Sequence, residues 1–244
     1  MPMSALAESI NLTWMAGSAG GGWYGRAGGY MSTSHVHLFV DAESPVNTMD
    51  DFFAQKDFRV AMSQRGASDV WVFEQAMKAC GTSWDQLKDR GWHFARGNYS
   101  YQASQFKDKN VDGVWTFLAA PAAAVTDASI GRNLKLIPWS QKAIKEIEQY
   151  GMFGCEVPGG TYPKAVNGGE NVMMGCAGCV IMVNKSMSDE LAYRLTKAFN
   201  ESVEKVRKVH ASLEPYQPEN GPKGSAIPLH PGAEKYYKEK GYLQ

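Results

Sequence analysis

The stretch "SAGGGWYGRAGGY", residues 18–30, sets six glycines around two adjacent aromatics, and its reading decides between a dinucleotide fold and a different α/β plan. Three occupants of such a loop compete: a dinucleotide pyrophosphate, a small anion, or nothing. The preceding "INLTWMAG" reads as a strand. Gly20, Gly22 and Gly25 therefore match the G-x-G-x-x-G fingerprint, and Asp41 lies near the ~20-residue offset expected of the ribose-binding acid. Against this, only residues 26–34 separate Gly25 from the next strand pattern, "HVHLFV", and Gly28 and Gly29 interrupt them. No apolar stripe remains there for a crossover helix, and a βαβ unit needs about thirty residues or more with that helix intact.

Working outward, the whole chain has 244 residues, enough for about one and a half to two domains at ~150 residues each. Its 25 basic and 25 acidic side chains cancel, which disfavours nucleic acid and anionic membrane surfaces as partners. No window approaches the ~18 apolar residues of a membrane span, and "MPMSALAESINLTW" lacks the basic and apolar regions of a signal peptide. The expectation is a cytoplasmic chain or one whose signal has been removed. Cys80, Cys155, Cys176 and Cys179 are too few and too dispersed for a disulfide scaffold. "CAGC" has thioredoxin-type spacing, but that chemistry needs a helix N-terminus to lower the thiol pKa, and "VIMVN" continues as a strand. Ordinary buried cysteines are expected.

Short apolar runs alternate with amphipathic helices, the pattern of an α/β fold. Strands are predicted at "FRVAMS", "WHFAR", "VDGVWTFL", "LKLIPW" and "VMMGCAGCVIMV". Helices are predicted over residues 69–79 and 101–107, in "SQKAIKEIEQYG", over residues 189–213 as the longest, and in the terminal "HPGAEKYYKEKGY". The glycine-containing turn "SQRGASD", residues 63–69, sits where a strand ends and a helix begins. Free backbone N–H groups and the helix dipole suit an anion there, and Arg65 could clamp a carboxylate; a capped turn with a solvated arginine is the alternative. His35 and His37 share a strand face but lack a third ligand at recognisable spacing, so no metal is expected. "MDDFF" and "SDEL" read as acids at helix N-termini. No Ser–His–acid set or G-x-S-x-G elbow is present, so neither catalytic residue nor cofactor is assigned.

The stretches "LTWMAGSAGGGWYGRAGG", "HVHLFVDAESPVNTMDDFFAQKDFRVAMSQRGAS", "QASQFKDKNVDGVWTFLAAPAAAV", "VPGGTYP", "MMGCAGCVIMVNKSMSDELAYRLTKAF" and "IPLHPGAEKYYKEKG" together resemble a TAXI-type solute receptor of a TRAP transporter. In that family the opening strand ends in a G-x-x-G-G-x-Y turn leading into a helix, with Tyr24 at the aromatic position here. The resemblance implies a two-lobed periplasmic-binding-protein-like α/β fold, closure about a hinge, and a small carboxylate or amino acid held between the lobes. It implies a periplasmic location and sodium-coupled membrane permease subunits as partners. Ser18, Gly21, Gly22 and Tyr24 would line one lobe; Ser63, Arg65, Gly66, Ala67, Ser68, Ala120, Pro121 and Tyr162 would line the other. Trp23, Ala67 and Asp69 depart from the family's usual residues, and Arg65 is not a hallmark of it. A block usually reading "G-E-A-D-L-G" has no counterpart between Gly25 and His35. Residues 1–34 with 184–244 are therefore expected to form a shortened first lobe and residues 35–183 a complete second one, with weakened affinity and a tendency to self-associate. An NAD-dependent oxidoreductase using the "GGGWYG" loop is the competing reading.

Overall fold

In a computed structural model, residues 25–223 and 227–243 are described. The spine is β1 (Gly25–Asp41), a strand of 17 residues. The segment expected as a loop or helix after the glycine fingerprint, residues 25–34, is therefore extended backbone. The absence of an apolar helical stripe in residues 26–34 is the physical reason.

Along one edge β1 pairs antiparallel with β4 (Gly113–Ala119), and along the other with β7 (Val172–Asn184) and then, near its end, with β5 (Leu134–Leu136). With β2 (Arg59–Met62), β3 (His93–Arg96) and β6 (Phe153–Val157), the sheet runs β3-β2-β4-β1-β7-β6. β2 pairs in parallel with both β3 and β4. Helices cover both faces. α2 (Ser68–Ala79) and α6 (Gln141–Glu148) pack together on one face; α4 (Tyr99–Lys107) and α5 (Ala123–Gly131) pair on the other.

Two short helices show no apolar periodicity because each is only 6 residues long, although the acids of "MDDFF" do fall in the first turn of the earlier one. Their capping boxes are the signal. Thr48 and Asp51 open α1 (Met49–Ala54), and Ser83 and Gln86 open α3 (Trp84–Asp89), each reciprocally bonded. α1 contributes Phe52 and Phe53 to an aromatic cluster with Phe58, Phe73 and Trp92, mostly edge-to-face.

The helix expected over residues 189–213 is broken. α7 (Asp189–Glu201) stops at Ser202, α8 (Val203–Arg207) follows, and residues 211–213 form a 3-10 turn. Asn200 explains the break: its Nδ2 donates to Thr196 O and its Oδ1 accepts from the Tyr216 hydroxyl, while Ser202 and Val203 have weak helix propensity. α7 and α9 (Pro231–Glu239) build a second small core from Ala233, Tyr236 and Tyr237. That core grips β1. The Tyr237 hydroxyl donates to Gly28 O at 3.0 Å, and Tyr30 N–H donates to Gly221 O at 2.8 Å.

Candidate functional site

β2, β3 and β4 are parallel, so α2, α4 and α5, each starting after one of them, all begin at the same end of the sheet. Chain order sends β2 toward β3 and β4 toward the β1 side, leaving a crevice at their carboxyl ends where such sheets bind ligands. α4 is capped by Asn98, whose side chain accepts from Tyr101 N–H. The N-cap residues of α2 and α5, Ala67 and Ala122, offer no side-chain acceptor. Their first-turn N–H groups face the crevice with the positive ends of two helix dipoles behind them.

The β2–α2 turn carries Ser63, Arg65, Gly66, Ala67 and Ser68. Gly66 adopts φ +87°, a conformation that suits glycine. Arg65 is exposed on this turn, close enough to act on Arg96 at the end of β3. Burial lowers the Arg96 pKa first, the Arg65 charge lowers it further, and Asp69 opposes both. Arg96 Nη1 donates to Ser63 O at 3.1 Å, and its guanidinium lies over the Phe94 ring. Asp69 is buried and accepts from Ser63 N–H at 3.1 Å, while Trp115 Nε1 donates to its carbonyl. The acid at the start of α2 thus braces the turn. Gln102, on α4, donates from Nε2 to Ser63 Oγ and Gly97 O, which leaves its buried Oε1 without a partner.

Ala120 and Pro121 join β4 to α5 through a cis peptide bond. Below them, the Ala122 N–H donates to the Tyr162 hydroxyl at 2.8 Å, and that hydroxyl meets His37 Nε2 at 2.8 Å. The hydroxyl keeps a second lone pair and its own proton, so which of the two donates across the Tyr162–His37 bond follows the tautomer of the imidazole. Burial, then the adjacent His35 ring, push the His37 pKa down to about 3. No acceptor meets hydrogen-bond geometry at Nδ1, although the His35 carbonyl nearby favours the protonated form. Tyr162 is therefore buried beneath the crevice, with its hydroxyl committed to the Ala122 turn. Beside Pro121, a cavity of about 500 Å³ opens between Tyr99, Leu118, Ala119, Asp127 and the residues His210 and Ser212 of the C-terminal segment.

The structure thus gathers Ser63, Arg65, Gly66, Ala67, Ser68, Ala120 and Pro121 at one end of the sheet, with Tyr162 underneath. Ser18, Gly21, Gly22 and Tyr24 lie outside the described residues, as do Gly20 and the strand expected at "INLTWMAG". The dinucleotide reading fails on what is described. No helix follows Gly25, and Asp41 is taken by Arg132 at 2.5 Å and by the Glu43 N–H. Arg96, Gln102 and His37 were missed as site residues, their partners lying 33 to 125 positions away.

The cysteines need a correction. Cys176 and Cys179 both lie in β7, three residues apart, and so face opposite sides of the sheet. Cys176 is joined to Cys155 of β6 in a disulfide, and Cys179 lies 3.1 Å from Ser34 Oγ.

Among solved structures, a TctC solute binding protein from Polaromonas is 15% identical over 90% of this chain and 70% of its own, with a TM-score of 0.50. A putative sulfonate ABC transporter's periplasmic sulfonate-binding protein from Methylobacillus flagellatus is 16% identical, covering 89% and 62%, at 0.40. The substrate binding protein of an amino acid ABC transporter is 13% identical, covering 76% and 62%, at 0.40. This chain spans 62% to 70% of those proteins' lengths. The first likeness, with the mixed α/β sheet and its helices, shows a periplasmic-binding-protein-like fold. No helix among the described residues is long and apolar enough to cross a membrane. The NMT1-like family model matches residues 26–241, nearly the whole described chain, and the chain belongs to that family.

Proposed function

We propose that this chain is an extracytoplasmic solute-binding protein of a TAXI-type TRAP transporter, holding a small carboxylate or amino acid without catalysis and delivering it to membrane permease subunits. One observation carries the ligand class. Two helix N-termini without side-chain caps and two arginines, Arg65 and Arg96, converge at the carboxyl ends of parallel strands. In this reading the turn of Ser63, Gly66, Ala67 and Ser68 supplies backbone donors, and Arg65 clamps the carboxylate. Ala120 and Pro121 wall the solute, while Tyr162 positions that wall through Ala122. Residues 1–34 and 184–244 form the smaller lobe in the same reading, which the separate tyrosine core of α7 and α9 supports.

The test is a thermal-shift screen of organic acids, amino acids and NAD(H), followed by calorimetry on any hit. A small carboxylate or amino acid should raise the melting point by mass action. Arg65→Ala should weaken that ligand by ~1.5–3 kcal/mol, the range for a hydrogen bond to a charged group. A shift with NAD(H) alone, or an affinity indifferent to Arg65→Ala, would sink the respective part of the proposal.

A further inference from the structure

On the sheet face that carries α4 and α5, three side chains far apart in sequence converge. His35 of β1 is the register partner of Cys176 in β7, and Cys155 lies diagonally across from Cys176 on β6. Directly opposed residues of antiparallel strands point to the same face, so the pairing itself aims all three together. One ligand atom from each lies within 4.8 Å of the others. His35 Nδ1 is buried without a hydrogen-bond partner, an arrangement that calls for a reason. Cys176 and the His35 Nδ1 are buried, while Cys155 is half-buried, which leaves the cluster an approach from the Cys155 side. Leu118, the register partner of His35 on its other side, lines the 500 Å³ cavity.

We propose that when the Cys155–Cys176 disulfide is reduced, the two sulfurs and a ring nitrogen of His35 form a three-ligand site for Zn²⁺, with water in the fourth position. Two thiolates and a neutral imidazole match the preference of this borderline-soft ion, and three protein ligands with one open position is a standard zinc arrangement. Tetrahedral bonds of ~2.0–2.3 Å place ligand atoms roughly 3.3–3.8 Å apart, so the two sulfurs, bonded to each other in the disulfide, must part once reduced while the His35 nitrogen stays within or closes to that range. A dithiol reductant supplies the two electrons and two protons that open the S–S bond and leaves as its own disulfide. Zn²⁺ then displaces the two thiol protons. The disulfide and the metal are alternatives at one place: the first ties β6 to β7, and the second ties both to β1 as well.

The test uses the full chain carrying Cys80→Ser and Cys179→Ser, which removes the two free thiols. The protein is reduced with a dithiol, freed of it by anaerobic gel filtration, and titrated with Co²⁺ as a spectroscopic probe. One equivalent should produce a thiolate-to-cobalt charge-transfer band that Zn²⁺ abolishes, whereas the oxidised protein should show none. Cys155→Ser, with native circular dichroism as a control, should remove the normal band, and His35→Ala should weaken binding at least tenfold. The proposal is overturned by a folded, reduced protein without the band, by a His35→Ala variant that binds as tightly as its parent, or by loss of native circular dichroism on reduction.

Discussion

Arg132 shows how one side chain can gather distant backbone. Its Nε meets Asp41 at the end of β1, and Nη1 donates to Phe106 O and Val111 O while the guanidinium lies 4.4 Å from the Phe106 ring centre. Burial alone would raise the Asp41 carboxyl, but the Glu43 N–H and then Arg132 outweigh it and hold the pKa below 3.8. A carboxyl depressed on folding contributes stability above its unfolded pKa, and that contribution is lost as pH falls through the lower folded value. Arg132→Met should therefore cost ~2 kcal/mol or more at pH 7, with the gap to the parent narrowing below about pH 3.8, in urea unfolding at the two pH values. Asp41 was legible only as an acid at a suggestive offset; its partner lies 91 residues away and no local pattern announces it. Gly28 and Gly29 belong to the same lesson. Part of the glycine-rich stretch receives the C-terminal helix: a Cβ on Gly29 would lie 2.1 Å from the Tyr237 hydroxyl, at φ +151°. Gly29→Ala should cost ~2 kcal/mol or more, and about 1 kcal/mol less in a Tyr237→Phe background, as a double-mutant cycle by chemical denaturation would measure.

At the scale of elements, legibility followed length and periodicity. α2, α4, β4 and β7 were readable because several apolar residues repeat within each, whereas β6 was missed because its pattern is cut short by Pro158 and glycines. The cost of that omission was the cysteine pairing: without β6 beside β7, Cys155 had no neighbour. A cross-link with 21 residues of sequence separation restrains the unfolded chain by about 3 kcal/mol in the loop-entropy model. Cys176→Ser should lose stability of that order by calorimetric melting, while Cys179→Ser should change it by less than ~1 kcal/mol, since that thiol is free and closes no cross-link. Equal losses from the two would mean that the bridge contributes nothing particular. The crevice was legible in part for similar reasons. A glycine turn between a strand and a helix marks Ser63 to Ser68 locally, but the bracing by Arg96, Gln102 and the His37–Tyr162 pair exists only once the sheet has assembled.

Across the whole molecule, β1 serves two cores of unequal size. Its later residues, Val36, Leu38, Phe39 and Val40, are fully buried between neighbours on both edges, while its earlier ones lie against β7 and the small tyrosine core. Amide hydrogen exchange should find residues 36–40 protected by ~1 kcal/mol or more beyond residues 28–33, because local opening follows buried apolar contact. Uniform protection would indicate one cooperative unit. The pairing that joins the cores also has a kinetic side. Ser34 meets Cys179 across 145 residues, and Gly28 meets Tyr237 across 209. Closing such long loops is slow and late, so Ile181→Ala, at the β1–β7 seam, should speed unfolding and leave the refolding rate nearly unchanged in stopped-flow experiments. On the ribosome, the order of manufacture then runs against the order of closure: the central strand emerges before β7 and α9, and a nascent chain carries it without that flanking strand and clasping helix until both have been made.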